Sequence, residues 1–147
     1  MKVVIQRCKS GSCIVDDKIV SKINNGLVVL VGFNVNDTMD DINYIVKKIV
    51  NLRIFDDENG VMNKSVIDVN GEILSISQFT LQAITKDGNR PSYVNAMRGE
   101  EAIKLYEIFN YKLNESVKTH SGVFGADMLI KIDNDGPITI VIDSQNK

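Results

Sequence analysis

The sequence predicts a mixed α/β protein: one domain of mostly antiparallel sheet, with two long helices on one side. Three observations lead there. Apolar runs arrive in hairpin-like pairs split by turn residues such as Asp16-Asp17 and Asn24-Asn25-Gly26. Only two stretches, opening near Thr38 and Glu100, repeat apolar residues at helical spacing. The 147 residues, 44% hydrophobic and 24% charged, show no repeat, low-complexity segment or linker, so residues 1–147 form a single core.

The elements follow in order. Lys2 to Cys8, apolar through Val3-Val4-Ile5, suits an opening strand. Ser12 to Val15 and Lys18 to Ile23 flank Asp16-Asp17 as a hairpin. Gly26 to Phe33 is a continuous apolar run, the pattern of a strand covered on both faces. Thr38 caps a helix, with Asp41 placed for a capping box; Met39, Ile42, Ile45, Val46 and Ile49 form its stripe. Asn51 to Phe55 is a short strand ended by Asp56-Asp57-Glu58-Asn59-Gly60, a solvated turn that lacks the ligand spacing of a calcium loop. Asn70-Gly71 turns into the strand from Glu72 towards Leu81. The irregular stretch Thr85 to Ser92 precedes a second helix, Glu100 to Glu115, with Ala102, Leu105, Tyr106, Phe109 and Leu113 as its stripe. Gly122 to Ile132 and Pro137 to Asp143 are closing strands joined by Asp133-Asn134-Asp135-Gly136.

Composition excludes several functions. No apolar run approaches the roughly 20 residues of a membrane-spanning helix, and Gln6 and Arg7 interrupt the N-terminal run before it could serve as a signal peptide. A cytoplasmic protein with no membrane partner is expected. Cys8, Cys13 and the lone His120 fall short of a four-ligand zinc site, so two reduced thiols, no metal and no cofactor are expected. A net charge of −2 argues against binding nucleic acid through a broadly basic body and leaves room only for a local basic patch.

Two segments stand out chemically. In Ser77-Gln78-Phe79-Thr80-Leu81, hydroxyls and an amide interrupt what would be a plain core strand. If the strand ends or bulges there, the backbone N–H groups of Gln78 and Phe79 leave the ladder and become donors for a developing oxyanion, with the Thr80 hydroxyl beside them. The alternative is that Ser and Thr are merely tolerated on a half-exposed strand. In Asn134-Asp135-Gly136-Pro137-Ile138-Thr139, proline removes a ladder donor and marks irregular backbone or a plain loop end.

Taken together, and with Met1 to Arg7, Asn51 to Phe55 and Gly122 to Met128, these segments make the chain resemble the D-aminoacyl-tRNA deacylase family over nearly its whole length. The resemblance implies a ββα layered fold, a homodimer with its site across the interface, and hydrolysis of the ester joining a D-amino acid, or glycine, to the tRNA 3′ end. It implies that the amides of Gln78 and Phe79 face the scissile carbonyl, with Ser77 and Thr80 in the same motif. Gly136-Pro137, in cis form and reaching in from the partner, would crowd the α-carbon. A rigid wall there rejects an L side chain by clash, where attractive contacts would discriminate poorly. Arg7 is a candidate to hold that segment through its carbonyls.

The nucleophile is expected to be water; no suitable base is evident, and the resemblance implies that the tRNA terminal 2′-hydroxyl assists. The rivals are an esterase with Thr80 as nucleophile and a non-catalytic dimer that binds the tRNA end. Lys86, Arg90 and Arg98 are the candidate RNA contacts, with Phe124 near the terminal adenine.

Overall fold

The computed structural model describes residues 1–146. Its spine is β1 (Lys2–Val15), which is long enough to serve two layers. The first half pairs antiparallel with β3 (Gly26–Gly32), from Lys2↔Gly32 to Cys8↔Gly26; the second half pairs with β2 (Lys18–Ile23). On its other edge β1 runs beside β8 (Leu129–Asp143) along nearly its whole length, with register shifts on either side of Cys8. β3 then pairs parallel with β6 (Glu72–Ser77), and β6 parallel with β7 (Thr119–Ser121). A small separate ribbon joins β4 (Phe55–Asp56) to β5 (Met62–Lys64).

The ββα layering arises because β3 and β6 present apolar side chains on both faces. On one face Val3, Ile5, Leu27, Val29, Val31 and Ile73 pack against α1 (Met39–Asn51) and α2 (Gly99–Asn114). Fully buried Phe109 of α2 stands edge-on to Phe33, with ring centroids 6.4 Å apart; burying one such side chain contributes about 1.5–3 kcal/mol. On the other face Val28, Leu74 and Ile76 meet Cys8, Cys13 and Ile23 from the second β layer, with Ile130 and Ile132 of β8 alongside. Both thiols are buried and free, and burial pushes Cys8 up to about 11.

The helix starts follow their sequence signals. Thr38 caps α1 in a full capping box with Asp41, whose carboxylate accepts from the Thr38 backbone N–H at 2.9 Å. The acidic run after β4 is a turn in which Asp57 accepts from the N–H groups of Asn59 and Val61.

Four expectations about elements are corrected. Lys2–Cys8 and Ser12–Val15 are one strand, because bulges let β1 bend without breaking. The closing strand is likewise continuous from Leu129 to Asp143, while Gly122 to Met128 is mostly loop. Gly136-Pro137 therefore lies inside a strand, accommodated opposite Arg7 where the β1–β8 register shifts. The strand expected at Asn51–Phe55 shrinks to Phe55–Asp56. Met39 is exposed, and Val50 replaces it in the buried stripe of α1.

Candidate active site

β6 ends at Ser77, and Phe79–Gln82 form one turn of 3-10 helix. Gln82 ties that turn down: its buried Nε2 donates to the Gly32 carbonyl at 2.8 Å, and its Oε1 accepts from Asn34 Nδ2 at 3.3 Å. Gly32 makes the close approach possible. A Cβ at that position would lie 2.6 Å from the Gln78 carbonyl oxygen and 3.0 Å from Leu81 Cβ.

The turn closes one end of a cavity of about 540 Å³. Ser77, Gln78 and Phe79 form one side of it, and Phe124, Gly125, Ala126, Asp127 and Met128 form another. Phe33, Met97 and Ala102 complete an apolar floor. Phe124 leans on Tyr106 at 5.7 Å between ring centroids. Tyr106 is fixed in turn by its hydroxyl donating to the Ser75 carbonyl at 2.8 Å, and burial raises its pKa.

The donor set differs from the sequence expectation. The Gln78 N–H is not free, because it donates to the Val31 carbonyl at 2.7 Å as the last rung towards β3. The Phe79 N–H has no partner among the described residues. The Gln78 side-chain Nε2 donates to Thr80 Oγ1, which leaves the Thr80 proton available to an acceptor. Among the described residues no histidine or carboxylate is hydrogen-bonded to Thr80. His120 pairs in register with Leu74, at the far end of β6, and lies 3.4 Å from Glu72. Phe79 is 57% exposed, edge-on to Tyr93 at 5.1 Å.

Gly136-Pro137 is a cis peptide, exposed and outside this cavity. Arg7 is 7% exposed, which excludes a surface role, but its contacts are not the expected carbonyls of the Gly-Pro segment. Its Nη1 donates to the Ile54 carbonyl at 2.7 Å, and its Nε lies 3.1 Å from Asp135 Oδ2 as a charge contact without an aligned hydrogen bond. Asn134 takes the role expected of Arg7: its Nδ2 donates to the carbonyls of Arg7 at 2.9 Å and Ile138 at 3.1 Å, bridging the bulge.

Of the expected RNA contacts, Phe124 lines the cavity and Arg98 lies between lining residues Met97 and Gly99. Lys86 and Arg90 are exposed on the neighbouring loop and do not line it. Sequence reasoning missed Asp127, the one ionisable residue of the lining, and Asn134. An Asn before a Gly-Pro step was a usable signal for Asn134, since a short amide readily bonds nearby backbone. Among the described residues no group of three or more His, Cys, Asp or Glu is placed to hold a metal, and no helix is long and apolar enough to cross a membrane.

The chain is similar throughout to known proteins. A D-aminoacyl-tRNA deacylase of Flavobacterium psychrophilum is 56% identical over 149 residues, covering 100% of this chain and 99% of that protein. One of Clostridium novyi is 49% identical, with 100% and 99% covered. Among solved structures, a c-Myc DNA Unwinding Element Binding Protein superposes with a TM-score of 0.93 at 41% identity, covering 97% of this chain and 98% of that one. A probable eukaryotic D-amino acid tRNA deacylase, 18% identical with a TM-score of 0.82 over 96% and 97%, shares the fold. The D-Tyr-tRNA(Tyr) deacylase model matches residues 4–143, and the chain belongs to that family.

Proposed function

We propose that this protein hydrolyses the ester of D-aminoacyl-tRNA, and of glycyl-tRNA mischarged on tRNA(Ala), while leaving L-aminoacyl-tRNA intact. The observation that carries the reading is the end of β6. A strand runs into an apolar cavity and turns sharply, leaving the Phe79 N–H without a partner among the described residues, next to the Thr80 hydroxyl. The Phe79 N–H suits the oxygen of a tetrahedral intermediate, for which such a donor is worth about 10²–10³-fold in rate, and the Thr80 hydroxyl, on a residue outside the cavity lining, is a helper.

Ser77, Gln78 and Phe79 form the catalytic wall, and Thr80, outside the lining, is held to it by the Gln78 side chain. The floor around Phe124 takes the terminal adenosine, and Arg98, Lys86 and Arg90 lie towards the RNA. Among the described residues no base is bonded to Thr80 to make it a nucleophile, which favours water assisted by the tRNA 2′-hydroxyl.

Gly136-Pro137 supplies the wall against an L side chain, and it does so for the partner subunit. Within one chain, β8 touches the cavity at Ile130, and Gly136 lies six residues further along it. Extended strand covers about 20 Å in that length, too far to reach back. A homodimer brings the two parts together, in the cytoplasm where aminoacyl-tRNA is made and used.

The test is to incubate the protein with D-tyrosyl-, L-tyrosyl- and glycyl-tRNA and follow the ester. Hydrolysis of the D and glycyl esters alone is expected; loss of all three, or of none, overturns the proposal. The Thr80→Ala protein should retain most of its turnover, and a complete loss would instead favour Thr80 as nucleophile.

A further inference from the structure

We propose that the groove at the C-terminal end of α1 is a second anion site, which takes phosphodiester backbone of the tRNA beyond the 3′ end held in the cavity. This rests on the functional reading above for its partner, though not for its charge. The groove, of about 500 Å³, is lined by Tyr44, Lys47, Lys48, Asn51, Leu52 and Arg53. It contains three cations and no carboxylate, on a chain whose net charge is −2. All three cations are exposed, and none forms an ion pair among the described residues, unlike Lys2, Lys9, Lys64 and Lys118. Asp68, an acidic group that feels Arg53, lies outside the lining and accepts from the Ser65 N–H and hydroxyl, both at 2.8 Å.

Opposing terms do not cancel this field. The helix C-terminus contributes about half a negative charge there, against three full positive ones. Lys47 to Arg53 covers at least about 9 Å at helical rise, and a nucleic-acid duplex presents about five phosphates over that length. Lys48 Nζ lies 5.6 Å from the centroid of the Tyr44 ring, which places one charge over the groove.

The groove is also tied to the Gly136-Pro137 segment. Arg53 precedes Ile54, whose carbonyl accepts from Arg7, and Arg7 contacts Asp135 beside Gly136. If that segment enters the partner's cavity, the groove flanks the same cavity, where RNA must leave it.

The test is the double variant Lys47→Gln/Lys48→Gln, with Lys18→Gln/Lys22→Gln on β2 as a charge-matched control in the other layer. Binding of uncharged full-length tRNA is measured against salt. The groove variant should flatten the log–log slope by about 2, one per phosphate contact, and the control by less than about half a unit. KM for D-aminoacyl-tRNA should rise about 10–100-fold at constant kcat, by the same counterion arithmetic at 0.1 M salt. Hydrolysis of a D-aminoacyl ester of the three terminal nucleotides alone should be unchanged. Equal slopes in the two variants, or equal losses on the long and short substrates, would overturn the site. If the wild-type protein hydrolyses no ester but binds tRNA with a groove-dependent slope, the groove stands and the functional reading falls.

Discussion

Gly32→Ala is the most direct test of how the cavity wall is built. The added methyl would sit 2.6 Å from the Gln78 carbonyl oxygen and 3.0 Å from Leu81 Cβ. Ordinary contact lies at 3.4–4 Å, so the wall must retreat by most of an ångström. The obstacle is backbone, which cannot swing aside like a side-chain tip. Gln82 also clamps the turn to the Gly32 carbonyl at 2.8 Å, so β3 and the turn cannot separate without loss of that bond. Overpacking of this kind costs about 1–3 kcal/mol in stability. A misplacement near 1 Å of the groups that hold a substrate costs about 10²-fold in rate. The expected protein is folded, somewhat destabilised, and slower by about that factor in kcat on D-aminoacyl-tRNA. Urea unfolding and single-turnover hydrolysis read the two effects separately. A variant within twofold of wild-type rate and about 0.5 kcal/mol of its stability would refute the idea that this approach sets the position of Ser77 to Phe79.

Three further outcomes follow from the same contacts. Arg7→Met removes the partner of the Ile54 carbonyl and one partner of Asp135; because Asp135 is 26% exposed and keeps Lys9 at 3.4 Å, the loss in urea unfolding should be about 1–3 kcal/mol, the cost of an unsatisfied buried acceptor. Glu72 is held below its usual range by the Asn24 N–H, then by Lys118. Its contribution is therefore complete above the unfolded value of about 4.3 and fades as pH falls through the lower folded value; Glu72→Gln should flatten the acid limb of a stability–pH curve. Cys8, raised to about 11 by burial, should react with a thiol reagent only as fast as the protein opens, so labelling at pH 8 should accelerate sharply in denaturant and little from pH 7 to 8 without it.

What the sequence made legible was what repeats locally. The stripe Ile42, Ile45, Ile49 and the capping pair Thr38–Asp41 specify α1 through spacing alone, and the run Gly26 to Phe33 announces a strand buried on both faces. The unbroken course of β1 and β8 was not legible, because Cys8 to Gly11 and Asn134 to Pro137 read as interruptions when only local preference is weighed. Pairing along both edges of β1 carries the strands through, a tertiary effect that no window of residues contains. The same blindness misassigned the Gln78 N–H. Its freedom depended on where Val31 ends up, and Val31 lies 47 residues earlier in the chain.

That misassignment changes the character of the site. With the Gln78 N–H committed to Val31, the donors left for the oxyanion we propose are the Phe79 N–H and, as a helper, the Thr80 hydroxyl, whose oxygen the Gln78 side chain holds. The backbone of Gln78 thus fixes the wall while its side chain aims the hydroxyl, so one residue carries both position and polarity. Removing the side chain should separate them. In Gln78→Ala the rung to Val31 survives and the turn stays in place, while Thr80 loses the donor that holds its oxygen. The rate on D-aminoacyl-tRNA should then fall by no more than Thr80→Ala itself costs, and the double variant Gln78→Ala/Thr80→Ala should match the single Thr80 variant. Additive losses would mean that the Gln78 side chain touches the substrate directly, a role its bond to Thr80 does not provide.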